Sequence, residues 1–303
     1  MKKIMLIAAA AAGLAAMADG VSSGVVGYTT ITLPAGQEYT MCALPFDSVS
    51  DPDGISIQEL FPDPLAAGFT GGGTAANADQ IMFWYNGDYS SLFLCSLPAN
   101  QTRHNKWINP GATRIPDSSW GTGNMPSTLK IKGGTAFWIK RKNFASALTL
   151  TVAGSVVTAA SGQKSHVITA GPSYTLIAGS FSAPFAPNPE LAKKEDGVTP
   201  YGEAVDWITM GCYGAGTAAN ADQLMFWRNG DYSTLFLCSL PANQTRHNKW
   251  INPGATKIPD ASWGTGNMPS TMKCEPGEGF WYKRASGQPS FEFVEQQPYT
   301  LAD

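Results

Sequence analysis

Apolar and polar residues alternate along much of this chain with the two-residue period of half-buried strands. VVGYTTITL, EYTMCALPF, QIMFWYN, YSSLFLCSL, TAFWIKRK and ALTLTVAGSVV are rich in β-branched and aromatic residues, the composition that fits a pleated surface. Asn86-Gly87 and Asn229-Gly230 each separate two such runs, and Asn-Gly in that setting predicts a two-residue hairpin turn. Helical patterning is confined to short stretches, ISIQELF and its counterpart PELAKKE. The segment after the hairpin, SLPANQTRHNKWINPGATRIPDSSWGTGNMPST, has no period. A loop of that length in a compact domain is functional, packed on itself or disordered.

The pattern occurs twice. Residues 73–128 return as 216–271 at an offset of 143, with five differences: Ile81/Leu224, Tyr85/Arg228, Ser91/Thr234, Arg114/Lys257 and Ser118/Ala261. All but Tyr85/Arg228 are mild. The match continues more weakly in LKIKGGTAFWIKR against MKCEPGEGFWYKR. Upstream, LPAGQEYTMCALPF resembles TAGPSYTLIAGSF at an offset of 135, so the second copy carries eight extra residues around ELAKKEDGVTPYGE. A period of this size is a domain rather than a solenoid unit. The chain therefore reads as a tandem duplication of an all-β module. Two homologous antiparallel β-sandwich or small-barrel domains are expected, each with a short helix and one long irregular loop. The boundaries drawn are 21–158 and 166–303, joined by a linker at 159–165.

Composition adds an address. MKKIMLIAAAAAGLAAMADG has a basic start, an apolar run and the small-x-small site Ala16-Met17-Ala18, the layout of a bacterial secretory signal peptide over residues 1–18. A secreted, periplasmic or cell-surface protein is expected, with no transmembrane segment after cleavage. Charged residues make up 14% of the 303-residue chain and the net charge is −3, which supplies no basic stripe for nucleic acid. The five cysteines, Cys42, Cys95, Cys212, Cys238 and Cys274, are odd in number and form no C-x-x-C pair. Only Cys95 and Cys238 are repeat equivalents, which favours buried free thiols over a disulfide framework.

The order of elements resembles a family of small β-modules of bacterial and archaeal exported proteins. Those modules open on a G-W-N-L-I-S-x-P strand and carry a y-x-y-d/n-G-x-y hairpin, a P-G-x-G-Y/F-W-I/V-K element and an apolar closing strand. Here AGQEYTMCALPF and AGPSYTLIAGSF resemble the opening, DQIMFWYNGDY and DQLMFWRNGDY the hairpin, KGGTAFWIKRK and EPGEGFWYKRA the third element, and ALTLTV and PSFEFV the last. The opening Trp is missing, and the long loop has no counterpart in the family pattern. The resemblance implies an accessory module of surface or secreted proteins and no catalytic residues.

Candidate chemistry concentrates in the long loop. Trp107, Trp120, Arg103 and His104 recur as Trp250, Trp263, Arg246 and His247. Aromatic faces beside amide and basic groups hold sugars; the same rings could instead pin the loop to its domain. Trp84 and Trp138 lie in strand-like runs and read as core. His104 stands beside Arg103 and Lys106, which oppose a metal ion, so no metal site or cofactor is expected. Asp79, Asp88 and Asp117, with Asp222, Asp231 and Asp260, have ordinary turn and edge roles. No nucleophile or metal motif appears, so no catalytic residue is assigned. The expected function is a non-catalytic structural or adhesive surface protein. The alternative is a carbohydrate-binding protein with two near-identical loop sites, and a glycan-active enzyme is the outsider. Partners would be polysaccharide or other surface proteins.

Overall fold

The computed structural model describes residues 25–85, 87–111, 120–254 and 263–301. The leader at 1–18, Asn86, and the positions Arg114, Asp117, Ser118, Lys257, Asp260 and Ala261 lie outside the described residues. The fold is all-β, with seventeen strands and two single-turn helices among the described residues. No described sheet closes into a barrel.

The first half contains β1 (Val26–Leu33), β2 (Tyr39–Ala43), β3 (Phe46–Asp47), β4 (Ile55–Ser56), α1 (Ile57–Leu60), β5 (Gln80–Tyr85), β6 (Asp88–Cys95), β7 (Lys106–Ile108), β8 (Lys130–Ile131), β9 (Ala136–Lys140) and β10 (Leu148–Val156). The second contains β11 (Gln163–Ile168), β12 (Ser173–Ala178), α2 (Trp207–Met210), β13 (Gln223–Arg228), β14 (Asp231–Cys238), β15 (Lys249–Ile251), β16 (Gly279–Arg284) and β17 (Phe291–Gln296). Each half builds a five-stranded antiparallel sheet in the same order, β2-β9-β5-β6-β7 and β12-β16-β13-β14-β15. Each also pairs its first strand with its last, β1 with β10 and β11 with β17. The segment read as a linker, 159–165, ends inside β11.

The Asn-Gly turn forms as its sequence requires. Asn229 and Gly230 both have positive φ, 54° and 81°, the signature of a type I′ hairpin. The capping box of α1 is complete: Ser56 Oγ accepts from the Glu59 amide, and Glu59 accepts from the Ser56 amide. PELAKKE is not a helix. It turns at Asn188, and the helix of the second half lies further on, where Asp206 caps Trp207–Met210 and Gly211 ends it at φ 113°.

Each half packs its short sheet over its five-stranded one, and the short sheets also reach the other half, where Lys164 of β11 meets Asp47 of β3 at 3.4 Å. Between β1/β10 and the first five-stranded sheet lies one core, built on Leu33, Ile81, Phe83, Leu94, Phe137 and Leu150. Between β11/β17 and the second sheet lies its counterpart, on Leu224, Phe226, Leu237, Phe280 and Phe293. A third apolar cluster joins the outer faces of the two sheets. It holds Met41, Trp138 and Trp281, flanked by Trp84, Tyr89, Trp227 and Tyr232. Along QIMFWY, Ile81 and Phe83 point to one core while Met82 and Trp84 point to the other half. Strands that are apolar on both faces are covered on both faces.

Candidate functional site

The rings of Trp107, Trp250 and Trp263 are fully buried and Trp120 is 3% exposed. Their faces are covered by protein: Phe61 and Phe69 surround Trp107, Phe83 meets Trp120, Trp207 and Tyr282 meet Trp250, and Phe226 meets Trp263. No sugar can stack on them, so the expectation that they form loop sites is corrected: these rings hold the loop to the sheet. Gln58 clamps the Trp107 backbone, its Nε2 donating to the Trp107 carbonyl at 2.7 Å and its Oε1 accepting from the Trp107 amide at 3.2 Å. In the second half Asn188 makes the same clamp on Trp250, at 2.8 and 3.0 Å. Further along, Asn109 Nδ2 donates to the Gly121 carbonyl at 2.8 Å, and Asn252 Nδ2 to Gly264 at 3.0 Å. The described part of each long loop is thus packed on itself.

The basic residues of the loop do not converge with these rings. His104 Nδ1 is engaged by the Leu97 carbonyl, and His247 Nδ1 by the Leu240 carbonyl at 2.5 Å. Each imidazole staples its own turn. Arg103 and Arg246 stay half-buried at the loop surface. No group of three potential metal ligands exists among the described residues.

The carboxylates of Asp79 and Asp222 are fully buried and absorbed by structure. Asp222 accepts from Arg284 and the Tyr282 hydroxyl, both at 2.5 Å, and from the amides of Tyr213 and Ala285 at 2.7 and 2.8 Å. Asp79 accepts from the amides of Thr70, at 2.8 Å, and Lys142, at 2.5 Å. Burial pushes the Asp79 carboxyl up, against these hydrogen bonds. Asp88 and Asp231 are exposed beside the hairpin turns. All five thiols are free and buried. Burial pushes Cys212 up to about 12 and raises Cys42 and Cys274 as well, which keeps them un-ionised and inert.

What the loop does not offer, the junction between the halves does. Trp84 Nε1 donates to the Tyr174 carbonyl at 3.1 Å, and Trp227 Nε1 to the Tyr39 carbonyl at 3.0 Å. Trp84 meets Trp281 edge-on with centroids 5.1 Å apart, and Trp227 meets Trp138 at 5.5 Å. Each contact is the other with the copies exchanged, the reciprocity of a two-fold axis. Near that axis Ala136 faces Gly279, its own repeat equivalent. A Cβ on Gly279 would lie 2.9 Å from the Ala136 Cβ and 3.0 Å from the Cys42 carbonyl oxygen, so only one copy can carry alanine there.

Two clefts flank this seam at equivalent places. One, of about 630 Å³, is walled by Trp84, Tyr85, Lys130, Lys132, Lys164 and His166. The other, of about 610 Å³, is walled by Trp227, Arg228, Glu195, Glu275, Glu278 and Thr29. At the floor of the first, Ser180 Oγ stands 2.8 Å from Glu295 Oε1 and 3.0 Å from His166 Nε2. Burial pushes Glu295 up to about 7 and His166 down to about 4, so both are neutral near pH 6 and the contact is a hydrogen-bond chain rather than an ion pair. It is not a hydrolytic triad. Glu295 and Ser180 approach the same ring nitrogen, and the Ser180 amide is spent on the Glu295 carboxyl at 3.1 Å.

The signal for the clefts was present in the sequence: Tyr85/Arg228 is the one sharp exchange in the repeated block, and KGG against EPG is the next. What could not be read was that these two differences lie on one surface. No family model, curated protein or solved structure matches the chain, so what the clefts do must be read from their own chemistry.

Proposed function

We propose that this is an exported, non-catalytic structural or adhesive protein in which two β-halves act as one rigid body. The observation behind this reading is the reciprocal seam: Trp84 and Trp227 each cross from one half to hydrogen-bond the other. That contact fixes the two clefts relative to each other, and two sites held in fixed relation on one chain gain avidity for a repeating partner. Two of the carboxylates weighed for the outsider reading, a glycan-active enzyme, Asp79 and Asp222, are committed to buried hydrogen bonds, which weighs against that reading.

A carbohydrate partner is the second reading, moved from the loops to the clefts. Its support is the pairing of Trp84 with Tyr85 on one wall and of Trp227 with polar groups on the other, an aromatic-plus-polar lining suited to sugars. Retention of the mature chain on insoluble polysaccharides, beside sedimentation velocity of the chain alone, separates the two. Retention that Tyr85→Ser abolishes without lowering the melting temperature supports carbohydrate binding. Concentration-dependent self-association with no retention supports a structural role. A monomer retained by nothing overturns both.

A further inference from the structure

The two clefts match in position and volume but not in charge. Under the offset of 143, Tyr85, Lys132 and Thr135 correspond to Arg228, Glu275 and Glu278. Under the offset of 135, Lys164 corresponds to Thr29. Each exchange shifts the balance in the same direction for the cleft as a whole, save that Arg228 brings a cation to the acidic side.

That cation is already spent. Arg228 pairs with Glu278 at 2.8 Å, donates to the Lys273 carbonyl at 3.0 Å, and lies over the Trp263 ring with 5.6 Å to its centroid. Glu195 and Glu275 remain with no ion pair among the described residues. In the opposite cleft Lys130 is paired with Asp51 at 2.5 Å and Lys164 with Asp47 at 3.4 Å. Lys132 is exposed and has no ion pair among the described residues. It shares the cleft with Tyr85, whose half-buried ring offers an apolar surface. Asp53 also lines this cleft, exposed and with no ion pair among the described residues. The Tyr85 cleft therefore presents one unpaired ammonium beside an aromatic ring and one unpaired carboxylate, whereas the Arg228 cleft presents two unpaired carboxylates and no unpaired cation.

We infer that the halves have diverged in ligand charge: the Tyr85 cleft takes a polyanionic polysaccharide, held by Lys132 over the face of Tyr85, and the Arg228 cleft rejects it. The inference rests on the carbohydrate reading above. Neighbouring anionic groups on such a polymer would meet Lys132, and the partly exposed Lys130 and Lys164 add to the same field. At the other cleft the same anions would meet Glu195 and Glu275, and like charges placed together give specificity by repulsion.

The test is calorimetry on the full mature chain with oligogalacturonate and its fully methyl-esterified form, and with dextran sulfate and plain dextran. The expected result is one site per chain for at least one of the two anionic probes and binding at least about tenfold weaker for its neutral counterpart, with affinity falling as salt rises from about 50 to about 500 mM. Lys132→Glu, at an exposed position, should weaken the anionic probe about tenfold and leave the melting temperature unchanged. Glu275→Lys should raise the stoichiometry from one towards two. Equal binding of charged and neutral forms, two sites in the wild type, or indifference to Lys132→Glu overturns charge selection while leaving carbohydrate binding in place. Binding of none of the four probes, and of no neutral polysaccharide, overturns both.

Discussion

The layer beneath each cleft is built from equivalent positions filled in opposite ways. In the first half Ile31, Pro45 and Val152 occupy them; in the second they are His166, Ser180 and Glu295. The strand registers make the match explicit, since Ile31 pairs with Leu150 and Thr29 with Val152, as His166 pairs with Phe293 and Lys164 with Glu295. Ile31 and Val152 are buried hydrocarbon; Ser180 and Glu295 are buried polar groups. The loops behave differently. There the rings are the same in both halves, and even the clamp is reproduced by unlike residues, Gln58 and Asn188. The contrast separates what the fold demands from what it tolerates. Packing around the loop tryptophans is held constant, while the layer facing the other half has been free to change.

The largest effect should come from the constant part. Trp107→Ala and Trp250→Ala should each cost about 3–5 kcal/mol in denaturant unfolding, as deletions of fully buried rings do, and the two values should agree within about 1 kcal/mol. A cost near 0.5 kcal/mol, usual for surface changes, at either site would break the comparison and return that ring to the surface.

The second effect belongs to the divergent layer and depends on pH. Glu295 has its folded pKa raised from 4.5 to about 7, so its contribution is complete below about 4.5 and is lost as pH rises through 7. His166 has its folded pKa lowered from 6.5 to about 4, so its contribution is present above about 6.5 and is lost as pH falls towards 4. The two slopes oppose each other between about 4.5 and 6.5. Glu295→Gln removes the first and leaves the second. The variant should be more stable than the wild type at pH 8, by up to about 3 kcal/mol on the size of the Glu295 shift, and should lose stability on acidification from about pH 6.5. Parallel melting-temperature profiles for the two proteins across pH 4–8 would show that the Glu295–Ser180–His166 chain does not carry the difference.

The sequence made the strands and the Asn229-Gly230 hairpin legible because each rests on local chemistry: β-branched and aromatic runs, or a turn that needs positive φ. The loop was not legible. Trp107 is buried through Gln58, 49 residues away, and no local pattern announces that clamp. The seam was half legible. In QIMFWY both Phe83 and Trp84 are large and apolar, which says that both faces of β5 are covered but not by what. The polar layer was hidden for another reason: PSFEFV resembles an apolar closing strand, and only tertiary packing turns Glu295, the residue after it, inward.

The smallest effect tests the comparison at a single hydroxyl. Asp222 and Asp79 occupy the same place in the two halves, each fully buried at the start of a central strand beside a buried arginine, Arg284 or Arg141. Tyr282 gives Asp222 a hydroxyl donor at 2.5 Å, and its counterpart in the first half is Ile139, which has none. If Asp79 is held adequately by its neighbours, the Tyr282 hydroxyl is an addition rather than a requirement. Tyr282→Phe keeps the ring and its contacts with Trp250 and Phe293, so it removes only the hydroxyl's hydrogen bonds, the strong one to Asp222 and a weaker one with the Cys212 thiol. A hydrogen bond to a charged group contributes about 1.5–3 kcal/mol. Asp222 retains Arg284 and two backbone amides, so the expected cost is about 1 kcal/mol, just below that range. Unfolding of Tyr282→Phe against the wild type measures it. A loss of about 3 kcal/mol or more would mean that the second half depends on a contact the first half never had, and that the two nodes are not equivalent.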